Sequence, residues 1–268
     1  MQKDDAAFAQ LFEKIERERG FRGNSYRQKC LRRRVAVRMR SVGVTRLDEY
    51  SAVLDSDPAE YERLLRTLTI SVSRFFRNPE TWNVITEHVL PELLARSSRR
   101  VLWSAGSAAG EEAYTLAILV TEWLAERGLE RRRRTLDIVG TDIDGEAIEA
   151  AREARYPAVA LSETPPRVRR RWFQGEDPFV LRDEIRSLVQ FRRLDILQGR
   201  PDFEADLILC RNLLIYLDQP AQERVFESFA ATLKPRGYLV LGRVEMLPSG
   251  MRPRFEVISA RERVFRKL

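Results

Sequence analysis

Between residue 6 and about residue 70, apolar positions recur every three or four residues. The repeat runs through AAFAQLFEKIERERG, YRQKCLRRRVAVRMRSVG, TRLDEYSAVLDSD and PAEYERLLRTLTI, and it predicts four helices that each bury one stripe. In the second, Leu31, Val35, Met39 and Val42 make the stripe, while Lys29, Arg32, Arg33, Arg34, Arg38 and Arg40 cover most of the remaining surface. Thr45 is placed to cap the third helix, with Glu49 reaching back as a loose capping partner. A small all-α domain is therefore expected at the N-terminus, over residues 1–85.

From about residue 99 the period changes. Short apolar runs (RRVLWSA, LDIVGTD, LVQFRRLDI, ADLILCRN, GYLVLGR) alternate with the helical stretches EEAYTLAILVTEWLAERG, DGEAIEAAREARY and QPAQERVFESFAATLK. That alternation predicts an α/β domain over residues 86–268, built on a parallel sheet with crossover helices. The stretch from RYPAVALSETPP to DEIR breaks the rhythm with prolines and charge, so an excursion with small strands of its own is expected at about 156–190. RFEVISARERVFRKL reads as a closing β-hairpin.

Composition narrows the chemistry. Among 268 residues there are one histidine, His88, and two cysteines, Cys30 and Cys210, far apart and outside any metal-ligand spacing. Disulfide scaffolds, metal sites and histidine-dependent catalysis are thereby disfavoured. No apolar stretch approaches the roughly 20 residues of a membrane span, and the N-terminal stretch lacks the apolar core of a secretion signal, so a cytoplasmic protein without membrane insertion is expected. The net charge of +7 points to an acidic partner: nucleic acid, an anionic membrane or an acidic protein surface.

In a doubly wound sheet, ligands sit beyond the carboxyl ends of the strands, near the point where strand order reverses. After the first strand comes SAGSAAGEE, where Gly106 and Gly110 let the backbone turn tightly and approach a ligand. No phosphate-binding lysine follows, and Glu111 with Glu112 would repel a diphosphate; they suit a cationic ligand, or simply favour the helix N-terminus. Asp142, after the second strand, is placed to bind the two hydroxyls of a ribose, and Asp144 to cap the next helix. Asp195, after the third, is placed to accept from an adenine amino group, and Asn212, after the fourth, brings donors and acceptors to the same crevice. Each has a cap or turn reading as well. Together, a ribose, an adenine and a cationic group without phosphate describe S-adenosylmethionine.

The segments SRFFRNPETW (73–82), LPELL (90–94), WSAGSAAGEEAYTLAILV (103–120), GTDID (140–144), FRRLDIL (191–197), CRNLLIYLD (210–218) and LKPRGYLVLG (233–242) resemble, in order and spacing, the chemotaxis-receptor glutamate methyltransferases of bacterial signal transduction, the CheR family. The resemblance implies a class I methyltransferase with a Rossmann-like sheet, an N-terminal all-α domain and a small inserted β-subdomain. It implies S-adenosylmethionine as methyl donor, S-adenosylhomocysteine as product, and receptor glutamate carboxylates as acceptors. By the same likeness Ser71, Ser73 and Arg77 close over the cofactor, and Arg77 faces the methyl-transfer centre. Glu111 takes the methionyl amino group, Asp142 the ribose, Asp195 and Ile196 the adenine end, Arg211 and Asn212 the sulfonium side. Tyr216 stands at the family's active-site tyrosine. The cationic residues Lys29, Arg32, Arg33, Arg34, Arg38 and Arg40 would dock the acidic, glutamate-bearing helical bundle of a chemoreceptor, with the enzyme acting as a monomer.

Three segments depart from the family pattern: TISVSRFFR puts Ser71 where an asparagine is usual, SAGSAAGEE replaces a cysteine and a threonine by Ser107 and Ala109, and GRVE puts Arg243 and Val244 where a histidine and a serine are usual. They leave a second reading, a cofactor-binding docking or sensory module of weak activity. A nucleic-acid methyltransferase ranks lower, because CRNLLIYLD lacks the prolines such enzymes use to grip a base.

Overall fold

A computed structural model describes residues 2–69, 73–95 and 98–268, so Ser71 lies outside the described residues. The chain forms two compact units, one of residues up to 70 joined by Ile215–Gln222, the other of Ser71–Leu214 and Glu223–Leu268.

The first unit is helical: α1 (Gln2–Arg19), α2 (Gln28–Ser41), α3 (Leu47–Ser56) and α4 (Pro58–Thr69). Leu31, Val35 and Met39 of α2 are buried with Ile15, Tyr50 and Leu64, as the helical spacing requires. The cap of α3 falls on Arg46, one residue after the expected Thr45, and the Arg46 amide donates to Glu49 Oε2 at 3.4 Å. Ile215–Gln222 joins this unit through the backbone. The Arg27 amide donates to the Tyr216 carbonyl at 2.8 Å, the Asp218 amide donates to the Ser25 carbonyl at 3.0 Å, and Tyr26 pairs antiparallel with Leu217.

The second unit opens with α5 (Pro79–Val84), which runs through a π-turn (Ile85–Val89) into α6 (Leu90–Ala95). Pro91 explains the wide turn: it has no amide hydrogen to give and its ring crowds the preceding turn. The strands are β1 (Arg100–Ala105), β2 (Leu136–Asp142), β6 (Val189–Arg193), β7 (Ala205–Cys210), β8 (Leu233–Leu241), β9 (Phe255–Ser259) and β10 (Val264–Lys267), in the order β6-β2-β1-β7-β8-β10-β9. All neighbours are parallel except β10, which runs antiparallel to β8 and β9 and closes the sheet as the expected hairpin. Between β1 and β7 the strand order reverses. The helices α7 (Glu111–Ala125), α8 (Gly145–Glu153) and α11 (Gln219–Thr232) connect the strands.

The expected excursion is a three-stranded antiparallel sheet of β3 (Arg155–Tyr156), β4 (Phe173–Gln174) and β5 (Phe179–Leu181), with two short helices, α9 (Pro166–Trp172) and α10 (Asp183–Arg186). Val189, inside the expected limits of the insert, already belongs to the large sheet. α7 is apolar on nearly all sides, and accordingly buried along almost its whole length. The boundary between units falls at residue 70 and not at 85, because Phe75, Phe76 and Trp82 are part of the core of the second unit.

Among the described residues, no helix is long and apolar enough to cross a membrane.

Candidate active site

The loops after β1, β2 and β7 build the site. At the end of β1 the amides of Gly106 and Ser107 both donate to the Thr141 carbonyl of β2, at 2.8 and 2.9 Å, and fold the loop back over the neighbouring strand. Gly106 and Gly110 have φ of +76° and +92°, which explains the residue type. A Cβ on Gly106 would stand 2.6 Å from Leu213, and one on Gly110 would stand 2.8 Å from Phe191. These glycines therefore serve the turn and its packing, and the space they leave is filled by the protein itself.

Gly110 is the N-cap of α7, so Glu111 and Glu112 open the helix. Both are buried, and they differ in company. Glu112 Oε1 accepts from Ser104 Oγ at 2.8 Å and Oε2 stands 3.5 Å from the Arg211 guanidinium; burial raises its carboxyl, and Arg211 works against that rise. Glu111 has no such partner, and its Oε2 is buried without a hydrogen bond. Burial pushes the Glu111 carboxyl up to about 7, and the neighbouring Glu112 adds to the rise. A buried carboxylate that holds its proton so readily favours the arrival of a cation.

This has a measurable consequence for the ligand-free protein. With the folded value raised above the unfolded one, the folded state holds more protons between about pH 4.5 and 7. Stability from this group is greatest below pH 4.5, falls as pH rises to about 7, and is level above. Glu111→Gln is therefore expected to raise the thermal midpoint at pH 8 and to flatten its decline between pH 5 and 8, read by thermal scans; a wild-type profile flat over that range would contradict the assignment.

Asp142 links two loops. Its Oδ2 accepts from the Ala108 amide at 2.9 Å and its Oδ1 from the Asp144 amide at 3.0 Å. Burial raises its carboxyl, and the backbone amides of Asp144, Ala108 and Ile143 oppose the shift. Asp144 caps α8, accepting from the Glu146 and Ala147 amides at 2.9 and 3.3 Å, as its position required. Asp195 turns inward on its own loop, with Oδ1 accepting from the Leu197 amide at 2.9 Å and Oδ2 from the Gln198 amide nitrogen at 2.7 Å; Ile196 beside it is half-buried. The turn reading of Asp195 thus holds alongside any ligand role.

After β7, Arg211 and Asn212 divide two tasks. Arg211 is buried and donates to the Arg77 carbonyl at 2.7 Å and to Asn78 Oδ1 at 3.1 Å, with its guanidinium 5.2 Å from the Trp82 ring. Asn212 has φ +63°, and its Oδ1 is buried with no partner. Ser107 Oγ is a further buried polar atom without one. An unpaired carboxylate, a hydroxyl and an amide oxygen suit a ligand bearing an ammonium and hydrogen-bond donors. They offer no anchor for a diphosphate.

The segment carrying Arg77 is fixed from several sides. Phe76 and Asn78, on either side of it, both have positive φ (56° and 57°), a strained arrangement that persists only where the surroundings enforce it. The Phe75 amide donates to the Ala160 carbonyl at 2.9 Å, the Phe76 amide to Thr115 Oγ1 at 3.1 Å and the Asn78 amide to Glu163 Oε2 at 3.0 Å. Trp82 Nε1 donates to the Arg77 carbonyl at 3.1 Å. The Phe75 ring stands edge-on to Tyr156 and Phe173 of the insert, at 4.7 and 4.9 Å. The Arg77 guanidinium, by contrast, makes no hydrogen bond or ion pair within this unit among the described residues. The backbone here is clamped, while the charge of the Arg77 side chain bears on the buried Glu112. Ser73, three residues before Phe76, is half-buried.

Tyr216 belongs to the helical unit, where its ring lies 4.9 Å from the Arg34 guanidinium. Two arginines of the expected cationic face are corrected here. Arg34 is buried and donates to the carbonyls of Thr67 and Leu68 at the end of α4. Arg38 pairs with the fully buried Glu60. Arg32 is also engaged, with Asp5 at 2.6 Å and over the Phe8 ring. Lys29, Arg33 and Arg40 remain exposed, on one face of α2 together with exposed Val37.

Arg243 points to Glu262 and Glu80: its Nε donates to Glu262 Oε2 at 2.9 Å and an Nη to Glu80 Oε2 at 2.7 Å. The bulky cation of GRVE is thereby accounted for. Glu245, the last residue of that segment, escaped the sequence reading; its carboxylate accepts backbone amides from both flanking loops. Two signals were there to find it: its place just after a strand, and its standing as a retained residue of the GRVE segment.

Residues 71–264 match the family model described as the CheR methyltransferase SAM binding domain, and residues 6–69 match that of the CheR methyltransferase all-alpha domain. The chain is 33% identical over 223 residues to a probable chemotaxis protein methyltransferase of Rhizobium etli, which covers 79% of this chain and 82% of the relative. It is 30% identical over 245 residues to chemotaxis protein methyltransferase 2 of Pseudomonas aeruginosa, covering 89% and 85%. It is also 34% identical over 247 residues, 91% of its length, to an uncharacterized 104.1 kDa protein of Rhodobacter capsulatus, of which it spans 26%.

Proposed function

The chain belongs to the CheR methyltransferase family, and from that premise we propose that it transfers a methyl group from S-adenosylmethionine to glutamate side chains of a chemoreceptor, giving methyl esters and S-adenosylhomocysteine. It is an S-adenosylmethionine-dependent methyltransferase of class I fold, with a Rossmann-like sheet and an N-terminal all-α domain. The observation that carries the assignment of the cofactor site is the buried carboxylate of Glu111, whose Oε2 has no hydrogen-bond partner, at the point where strand order reverses.

S-adenosylmethionine supplies a methyl group on a positively charged sulfur. The chain's own residues bind and align. Glu111 receives the amino group, Asp142 the ribose, and Asp195 with Ile196 the adenine end. Asn212 stands toward the sulfonium side, and Arg211 acts beside it through the backbone of Arg77. An acceptor glutamate, with a pKa near ~4.3, is already ionised at neutral pH and needs no general base. Arg77 can hold one of its oxygens while the other attacks, and alignment of this kind is worth about 7 to 11 kcal/mol. Tyr216 supports the transfer, in keeping with its place in the family pattern.

The partner is the acidic, glutamate-bearing helical bundle of a chemoreceptor, met in the cytoplasm by a single copy of this chain. Lys29, Arg33 and Arg40 are the docking cations. Reversing these three to glutamate is expected to raise KM for a receptor cytoplasmic fragment roughly tenfold at low salt, less at high salt, with kcat unchanged. Steady-state rates at two ionic strengths check it. The reaction is tested with tritiated S-adenosylmethionine: base-labile label on the receptor fragment supports it, and label on a DNA or RNA pool alone would replace it with a nucleic-acid methyltransferase.

A further inference from the structure

We propose that Glu245 is a positioning residue of the methyl-transfer site, which acts by fixing the loop after β7 and so presenting the Asn212 side chain; the inference rests on the methyltransferase reading above. Glu245 is 4% exposed, and its carboxylate joins the loops that follow two neighbouring strands, β7 and β8. Oε2 accepts from the Gly242 amide at 2.6 Å and the Asn212 amide at 3.0 Å, and Oε1 accepts from the Leu214 amide at 2.7 Å. The first donor lies just past β8 and the other two just past β7, neighbouring strands of the sheet. One side chain thus ties the loops on the β7 side of the crevice to each other where the strands end.

The loop needs such a tie. Asn212 holds φ +63°, a conformation that side-chain-bearing residues adopt at a cost and keep only where other contacts enforce it. Its amide is one of the three donors to Glu245, and its side-chain oxygen is buried with no partner. An acceptor left bare in this way is expensive unless a ligand satisfies it. The negative charge of Glu245 also bears on Arg211, which burial would otherwise disfavour in its charged form and which Glu112 and Glu245 both support. Glu245 therefore keeps both members of the pair Arg211–Asn212 in place without itself reaching the reacting atoms.

Glu245→Gln keeps the shape but turns an amide NH2 toward backbone N–H groups that need an acceptor. The measurements are S-adenosylhomocysteine affinity by calorimetry, kcat and KM on a receptor fragment, and the thermal midpoint, for Glu245→Gln, Asn212→Ala and the double variant. If Glu245 acts through Asn212, each single variant weakens S-adenosylhomocysteine binding about tenfold, and the double variant is no weaker than the worse single one. Losses that multiply in the double variant would overturn the proposal. So would a Glu245→Gln protein of lowered midpoint that binds S-adenosylhomocysteine as tightly as wild type. If Glu245→Gln does not fold, Glu245→Asp, which keeps the charge but shortens the reach, takes its place in the cycle under the same criteria. A wild-type protein that ignores S-adenosylhomocysteine altogether would sink the methyltransferase reading itself, an outcome recognisable without any variant.

Discussion

Arg77→Ala is expected to lower kcat for receptor methylation by on the order of 100-fold or more, with a smaller loss in affinity for S-adenosylhomocysteine. The asymmetry follows from the local structure. The carbonyl of residue 77 is held by Trp82 and Arg211, and the amides on either side by Thr115 and Glu163, none of which uses the guanidinium. Removing the side chain therefore leaves the segment in place and takes away only what the side chain reaches for. Arg77→Lys, which keeps the charge but not the planar fork, is expected to recover part of the rate. Single-turnover rates set beside calorimetric affinities decide the matter. Full rate in Arg77→Ala with intact cofactor binding would remove this residue from the mechanism, and the same result in Tyr216→Phe would remove that one.

The largest effect on stability is expected in the helical unit, at Glu60. Its carboxylate is fully buried and accepts from Arg38, from Tyr50 Oη at 2.8 Å and from Arg63 at 3.3 Å. Burial works to raise this carboxyl, and Arg38 with Tyr50 outweighs it, so its pKa lies below the ordinary value. Glu60→Ala strands the guanidinium and the phenol together and is expected to cost about 3 kcal/mol, measured by urea unfolding of the full chain. Because the folded value is depressed, the contribution of Glu60 is present above about pH 4.5 and is lost as pH falls through the folded value. The variant should therefore lose less stability than wild type on acidification. Equal acid sensitivity in the two proteins would contradict the role assigned to this carboxylate.

The strand ends were the most legible part of the chain. A parallel sheet writes itself as short apolar runs, and the polar residue after each run falls beyond a strand end by geometry alone, which is why the places of Asp142 and Asn212 followed from spacing. Capping chemistry is equally local, and Asp144 fell where its side chain required. Burial of charge was not legible. Arg38 and Arg40 look alike along the chain, but the partner that buries one of them, Glu60, is 22 residues away, on another helix. Leu31, Val35 and Met39 of the α2 stripe were read correctly because a stripe is a local period, although Val42 falls past the helix at its C-cap and is only half-buried; which cations around it were spoken for depends on pairing. The same limit hid the addition of Ile215–Gln222 to the helical unit and the place of Glu245, which accepts from Asn212, Leu214 and Gly242 in loops after two different strands. The glycines of the β1 loop were recognised as turn formers, but what stands before their missing Cβ atoms is set by Leu213 and Phe191, remote in sequence.

Phe75 seats its ring against Tyr156 and Phe173, and the amides of residues 75 and 78 are held by Ala160 and Glu163. The inserted subdomain is accordingly the mount on which the backbone around Arg77 is bolted. If Arg77 serves methyl transfer as proposed, a chimera that grafted the large sheet without this mount is expected to load its cofactor and then idle, and drift in the sequence of the mount would retune turnover from outside the crevice.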